Sequence, residues 1–230
     1  MVQRIVSDNY EPVHEGQFRF DELLQHLESY NASKIVSIGE DATRVISRVD
    51  YDSETNRLVG FVLPCNNAGL PLCNSFIADS FQSMESCFQT GKMAKYAFVY
   101  MAQSLTEGVP SFCLACLGTD NKFSGDMLLE RWRYIFSECK KRGIKVISFG
   151  ADGDSRELKA MQLAMQLYQP IKSVSSGLDL PIMSIPPSWK SWFLEEKSTA
   201  VAYTQDPVHL AVKLKVNETF HNLAIGEVLG

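Results

Sequence analysis

The chain of 230 residues contains no apolar run approaching the ~20 residues that a membrane-spanning helix needs. Its opening stretch, MVQRIVSDNYEPVHEG, lacks a long apolar core of the secretory kind, so no export signal is read there. Positive charge is scarce as well. Lys and Arg number 22 against 27 Asp and Glu, a formal net charge of −5. That balance weighs against an autonomous, high-affinity DNA-binding domain, because phosphate contacts dominate such binding. A catalytic domain that meets DNA through a local basic face, with a separate module for targeting, is compatible with it.

Several chemistries lack their signatures. No Gly-rich phosphate loop is present, and Ser155 has no Gly-x-Ser-x-Gly setting. The six cysteines (Cys65, Cys73, Cys87, Cys113, Cys116 and Cys139) are spread through apolar segments and read as reduced thiols of an intracellular protein. Cys113 and Cys116 invite a zinc or redox reading. A spacing of three on a strand puts the two thiols on opposite faces, and no second Cys/His pair at suitable spacing follows, so they read as packing residues. There are no internal repeats and no low-complexity tract.

What is present is an ordinary globular composition, 45% hydrophobic and 21% charged. The chain is organised around Ile144–Met161, IKVISFGADGDSRELKAM. The apolar run Val146–Phe149 breaks at Gly150 and is followed by Asp152 and Asp154. A helical pattern then begins, with Leu158, Met161, Met165 and Tyr168 three and four apart. This is a strand–turn–helix with acids at the strand's carboxyl end, where open α/β sheets bind ligands and metals. Asp154 and Glu157 have capping-box spacing, so Asp154 reads as a helix cap. Asp152 has no such duty and is the better functional carboxylate.

In chain order, residues 1–33 form a lead-in and a helix, with Phe20, Leu23, Leu24, Leu27 and Tyr30 on one face. Lys34–Gly39 is a short strand running into Glu40 and Asp41. Thr43–Asp50 and Asn56–Leu63 flank a hairpin loop at 51–55. Ile77, Phe81, Met84 and Phe88 lie at helical spacing. Tyr96–Leu105 and Pro110–Leu117 form a second hairpin. Leu128, Leu129, Trp132, Ile135, Phe136 and Cys139 line an amphipathic helix closed by Lys140–Gly143. Trp189, Trp192 and Phe193 are expected in a short turn on the core. Thr199–Thr204 is a last strand, and Asp206–Pro207 opens a final helix through His209. Antiparallel strands followed by strand–helix units predict an α/β fold, one mixed sheet with helices on both faces.

The ordered set Asp41, Asp152-Gly153 and Asp206-Pro-x-His209 resembles the ribonuclease H-like catalytic core of cut-and-paste DNA transposases of the P-element and THAP-domain group. The blocks that carry the resemblance are KIVSIGEDATRV (34–45), the segment 96–161 and YTQDPVHLAVKLKVN (203–217). The Asp206-x-x-His209 portion also resembles the C/D-x-x-H signature of hAT and Mutator-like transposases. The resemblance implies a mixed five-stranded sheet ordered 3-2-1-4-5 over residues 34–230. It implies Asp41 and Asp152 as catalytic, metal-holding acids for Mg²⁺ or Mn²⁺. It further implies DNA as partner of the full-length protein, a nuclear location, and a homo-oligomer or partner domain that supplies what is missing.

Two features depart from the pattern. The third acid such enzymes need is not identifiable, since Glu218 and Glu227 have no matching context, and the cysteines and histidines lack the spacing of a THAP-type zinc finger. The chain is therefore expected to be a transposon-derived fragment that does not cut DNA by itself, or else a non-catalytic DNA- or protein-binding module. The accessory candidates Asp154, Asp206, His209, Lys213 and Lys215 have plainer readings too. Asp206 and His209 have the spacing that fixes a helix start, and lysines on a helix surface are usually just solvated.

Overall fold

The computed structural model describes residues 12–166, 192–196 and 199–206. The elements are α1 (Phe20–Ser29), β1 (Ile35–Arg44), β2 (Asp50–Asp52), β3 (Arg57–Val59), α2 (Phe81–Thr90), β4 (Tyr96–Ser104), β5 (Phe112–Thr119), α3 (Gly125–Lys141), β6 (Lys145–Ala151), α4 (Ser155–Gln166), β7 (Trp192–Glu196) and β8 (Thr199–Gln205). Six strands form one mixed sheet in the order β5-β4-β1-β6-β8-β7, and β2 and β3 make a separate hairpin. β1 runs parallel to β6, and β6 parallel to β8; the other pairings are antiparallel. Counting β1, β4, β5, β6 and β8 as the first to fifth strands gives 3-2-1-4-5, the ribonuclease H-like order.

The sixth strand corrects the expectation for Trp192 and Phe193. They lie in β7, paired with Tyr203 and Ala202 of β8, rather than in a turn. The segment Trp-Phe-Leu suits a pleated surface, and its pairing covers what would otherwise be an open edge of β8. Trp189 lies outside the described residues, as does the helix expected from Pro207.

One face of the sheet carries the core. Val36, Ile38, Phe98, Tyr100, Leu114, Leu117, Phe149, Val201 and Tyr203 are buried there with side chains of α1, α3 and α4. α3 buries Leu128, Leu129, Trp132, Ile135 and Cys139, as its spacing predicts. The Trp132 ring lies 5.4 Å from that of Phe149 and 5.2 Å from that of Tyr203. α1 joins the same core through Phe20, whose ring meets Tyr134 of α3 edge-on at 5.7 Å. All three helices thus share one face, and 207–230 lie outside the described residues. α3 and α4 start close together, because Gly125 has no side chain: a Cβ there would sit 2.8 Å from the Arg156 carbonyl oxygen.

The N-cap of α3 is Ser124, whose hydroxyl accepts from the Met127 amide at 3.2 Å. Ser124→Ala should lower the urea-denaturation free energy by about 1 kcal/mol, since a helix-end amide loses its acceptor. An unchanged midpoint would show that water substitutes fully for the cap.

Two further expectations are corrected, and one helix forms without facing the core. β1 does not stop at Gly39. β4 remains its partner as far as Arg44, with Asp41 opposite Val99, so Asp41 lies inside a strand rather than past its end. Between 45 and 49 there is no strand, and Tyr51 and Asp52 are strand residues; the turn is 53–56, with Asn56 at φ +53. Asp52 tightens it by accepting from the Glu54 amide and the Thr55 hydroxyl. α2 has no buried residues, and Phe81 and Phe88 are 72% and 59% exposed, so its periodic apolar stripe does not face the core. Its start is fixed instead by a reciprocal Ser80–Ser83 capping box.

Candidate functional site

The three parallel strands β1, β6 and β8 bring their carboxyl-terminal halves together at one edge of the sheet. There an open cavity of about 540 Å³ is lined by Gly39, Glu40, Asp41, Thr43, Val99, Met101, Gly150, Ala151, Asp152, Thr204, Gln205 and Asp206. Asp41, Asp152 and Asp206 come from three neighbouring strands and line the same cavity. The glycines matter because β1 and β6 pair at Gly39 and Gly150, which leaves the cavity floor without side chains. His209, Lys213, Lys215, Glu218 and Glu227 lie outside the described residues.

Asp41 is exposed, and its Oδ2 accepts from the Thr43 hydroxyl at 2.9 Å. Asp152 is half-buried in the β6–α4 turn, and its Oδ1 accepts from the Asp154 amide at 2.7 Å. Gly153 makes that turn possible at φ +79, a backbone conformation that side chains disfavour. Asp154 is engaged by the first turn of its own helix. It accepts from the Arg156 amide at 2.9 Å and holds the Arg156 guanidinium with both oxygens, at 2.7 and 2.9 Å. The other half of the capping box is Glu157, whose Oε2 accepts from the amides of Gly153 and Asp154, both at 2.9 Å. The spacing Asp154…Glu157 predicts this arrangement.

A second carboxylate layer lies beneath the rim. Glu40 is only 5% exposed, and its Oε2 accepts from the Trp132 indole N–H at 2.8 Å. Its Oε1 has no hydrogen-bond partner among the described residues; the Tyr100 hydroxyl is near enough to be felt but lacks bonding geometry. Burial pushes the Glu40 carboxyl up to about 7, against the pull of Trp132 and the Arg131 charge. Glu157 goes higher, to about 9, because burial and a hydrogen bond to Asp152 favour its protonated form. Asp152 therefore has the Glu157 carboxyl as a neighbour and also lines the cavity.

Arg131 supplies the compensating charge. It is buried on α3, donates Nε to the Gly69 carbonyl at 2.5 Å, and lies over the rings of Phe98 and Phe123.

Strand parity makes Glu40 legible, since Val36, Ile38 and Glu40 succeed one another two residues apart and so share one buried face. Arg131 carries no such signal, because it sits among apolar α3 residues without their hydrophobicity. The thiols of Cys113 and Cys116 correct the expected opposite facing. The β4–β5 register shifts between Tyr100 and Met101, the intervening Leu114 and Ala115 are both buried, and the two cysteines are both half-buried. A bulge of this kind restores both thiols to one face. Burial raises both thiols, Cys116 to about 11, so neither is a ready thiolate.

Mg²⁺ takes hard oxygen ligands, often one or two carboxylates plus water, and an open cavity with Asp41 and Asp152 on its wall suits that chemistry. Among the described residues no three His, Cys, Asp or Glu side chains converge on one point. No described helix is long and apolar enough to cross a membrane.

No family model matches the chain, and no curated protein matches it. Among solved structures, the Drosophila P element transposase strand transfer complex is similar over 89% of this chain and 34% of its own, at 13% identity and a TM-score of 0.48. The chain thus spans about a third of that protein's length. So low a likeness assigns no activity.

Proposed function

We propose that the chain is the catalytic-core remnant of a cut-and-paste DNA transposase, which in its full-length context acts on DNA in the nucleus with Mg²⁺ or Mn²⁺. The observation that carries this reading is that Asp41, Asp152 and Asp206, from three adjacent parallel strands, line one open cavity at the sheet edge. That is the placement expected of acids serving phosphodiester chemistry.

Asp41 and Asp152 would hold the cation, and Asp206 lies on the same wall as an accessory carboxylate. Divalent cations held there would supply positive charge to the attacking and leaving oxygens of a phosphodiester. The residues of the chain do the positioning. The Asp154 amide fixes the Asp152 carboxylate, and Gly39 and Gly150 leave room for a phosphate to approach. Asp154, paired with Arg156, remains structural. Among the described residues no third carboxylate of matching role joins Asp41 and Asp152, and on this reading the chain does not cut DNA alone; misplacement of a reacting group by ~1 Å can cost about 10²-fold.

The second reading is a non-catalytic DNA- or protein-binding module derived from such an element. Thermal melting with and without Mn²⁺ separates the two. On the first reading Mn²⁺ raises the melting temperature, by binding the native state alone. Asp152→Asn abolishes the shift, whereas Asp154→Asn lowers stability and keeps it. Equal shifts in wild type and Asp152→Asn would remove the metal site and leave the binding module. Incubation with duplex DNA and Mn²⁺ at low salt should give no strand cleavage; cleavage that Asp152→Asn removes would show the chain to be complete.

A further inference from the structure

The alternation of β1 gives its two neighbouring acids opposite surroundings. Asp41 points with Gly39 to the open side, exposed, with one oxygen taken by the Thr43 hydroxyl. Glu40 points with Val36 and Ile38 to the buried side, yet it also lines the cavity that Asp152 lines. One of its oxygens is fixed by Trp132; the other is buried and bonded to nothing among the described residues.

A buried carboxylate oxygen without a donor is costly, because it loses its water and gains no partner. Neighbouring groups relieve it only in part: the Arg131 charge acts on the carboxylate without a hydrogen bond to this oxygen. Asp152 and Glu157 are acids, and the Tyr100 hydroxyl is not aligned. What such an oxygen suits is a hard cation entering from the cavity. A carboxylate clamped by an indole N–H on one oxygen presents the other in a fixed direction, the preorganisation that a metal ligand needs. Among the described residues Asp41 is held only by the hydroxyl of Thr43, in an exposed bond.

We propose that Glu40, paired with Asp152, is the β1 carboxylate that directly holds a divalent cation at this edge, and that Asp41 is a rim residue. The assignment rests on the metal-binding reading above and changes which β1 acid does the binding.

Mn²⁺ binding to the purified 230-residue protein, followed by loss of the free-ion electron paramagnetic resonance signal, tests it without any need for activity. Glu40→Gln keeps an acceptor for Trp132 and removes the charge. It should weaken Mn²⁺ about tenfold or more, as should Asp152→Asn, while Asp41→Asn should change affinity by less than about threefold. If Glu40→Gln does not fold by near-ultraviolet circular dichroism, Glu40→Asp, which withdraws the carboxylate by one methylene, must show the same weakening. Loss in Asp41→Asn with retention in the Glu40 variant overturns the assignment and leaves the metal site standing. Absence of Mn²⁺ binding by the wild type overturns the metal site, and the assignment with it.

Discussion

Replacing Trp132 by alanine should lower the unfolding free energy by about 5 kcal/mol, the largest effect expected of any single side chain here. Two losses add. The indole is 1% exposed and packs against Phe149 and Tyr203, so its removal opens a cavity at the centre of the helix-covered face. Its N–H is also the hydrogen bond that holds Glu40. Trp132→Phe separates the two, because it keeps most of the packing and deletes only the donor; its cost should be about 2 kcal/mol. Urea denaturation monitored by far-ultraviolet circular dichroism measures both. A Trp132→Ala variant within about 1 kcal/mol of wild type would mean that the core collapses around the gap and that Glu40 finds water.

Glu157→Gln should make the protein more stable than wild type at pH 8 and indistinguishable from it near pH 4.5. Burial and the bond to Asp152 raise the folded-state value of Glu157 to about 9, against an unfolded value of 4.5. A group whose folded value is raised contributes its stability in full below the unfolded value and loses it as pH climbs through the folded one. Wild type should therefore weaken steadily between about pH 5 and pH 9. Glu40, raised to about 7, adds to the lower part of that slope. The amide of Gln can accept from the Gly153 and Asp154 N–H groups and donate to Asp152, copying the protonated acid at every pH. The gain at pH 8 should be of order 2 kcal/mol, allowing for solvent screening of a turn at the sheet edge. Denaturant midpoints across pH 5–9, with a chelator present to exclude metal, give the result. Parallel curves for the two proteins would show that Glu157 is ionised throughout.

The sheet was readable because its strands are apolar runs broken by Gly, Pro and acidic turns, and because parallel strands here carry helices between them. α3 was readable because its apolar residues recur three and four apart over a full seventeen residues. Asp154 and Glu157 were readable because a helix start has a local grammar. Other features depend on partners distant in sequence. The extension of β1 through Asp41 is imposed by β4, and β7 exists because β8 offers an edge. α2 forms where its spacing places a helix, but that spacing says only that a face is apolar and not what covers it. Asp41, Asp152 and Asp206 stand out in the sequence by position, and all three line one cavity. Glu40 was passed over because a charged residue beside Asp41 looks like one more solvated acid until the parity of Val36 and Ile38 is applied to it.

The central strand also sets how the molecule can be made. β1 is flanked by β4 and β6, and the hydroxyl bond between Ser148 and Ser37 joins residues 111 positions apart. Closing so long a loop must precede any reward from the contacts it permits, and topologies dominated by such pairings fold slowly. During synthesis β1 emerges early, finds only the antiparallel β4–β5 hairpin, and waits with its other edge bare until β6 has left the ribosome. For that interval the nascent chain presents an unpaired β1 edge beside uncovered apolar residues, which is the form in which chaperones would meet it.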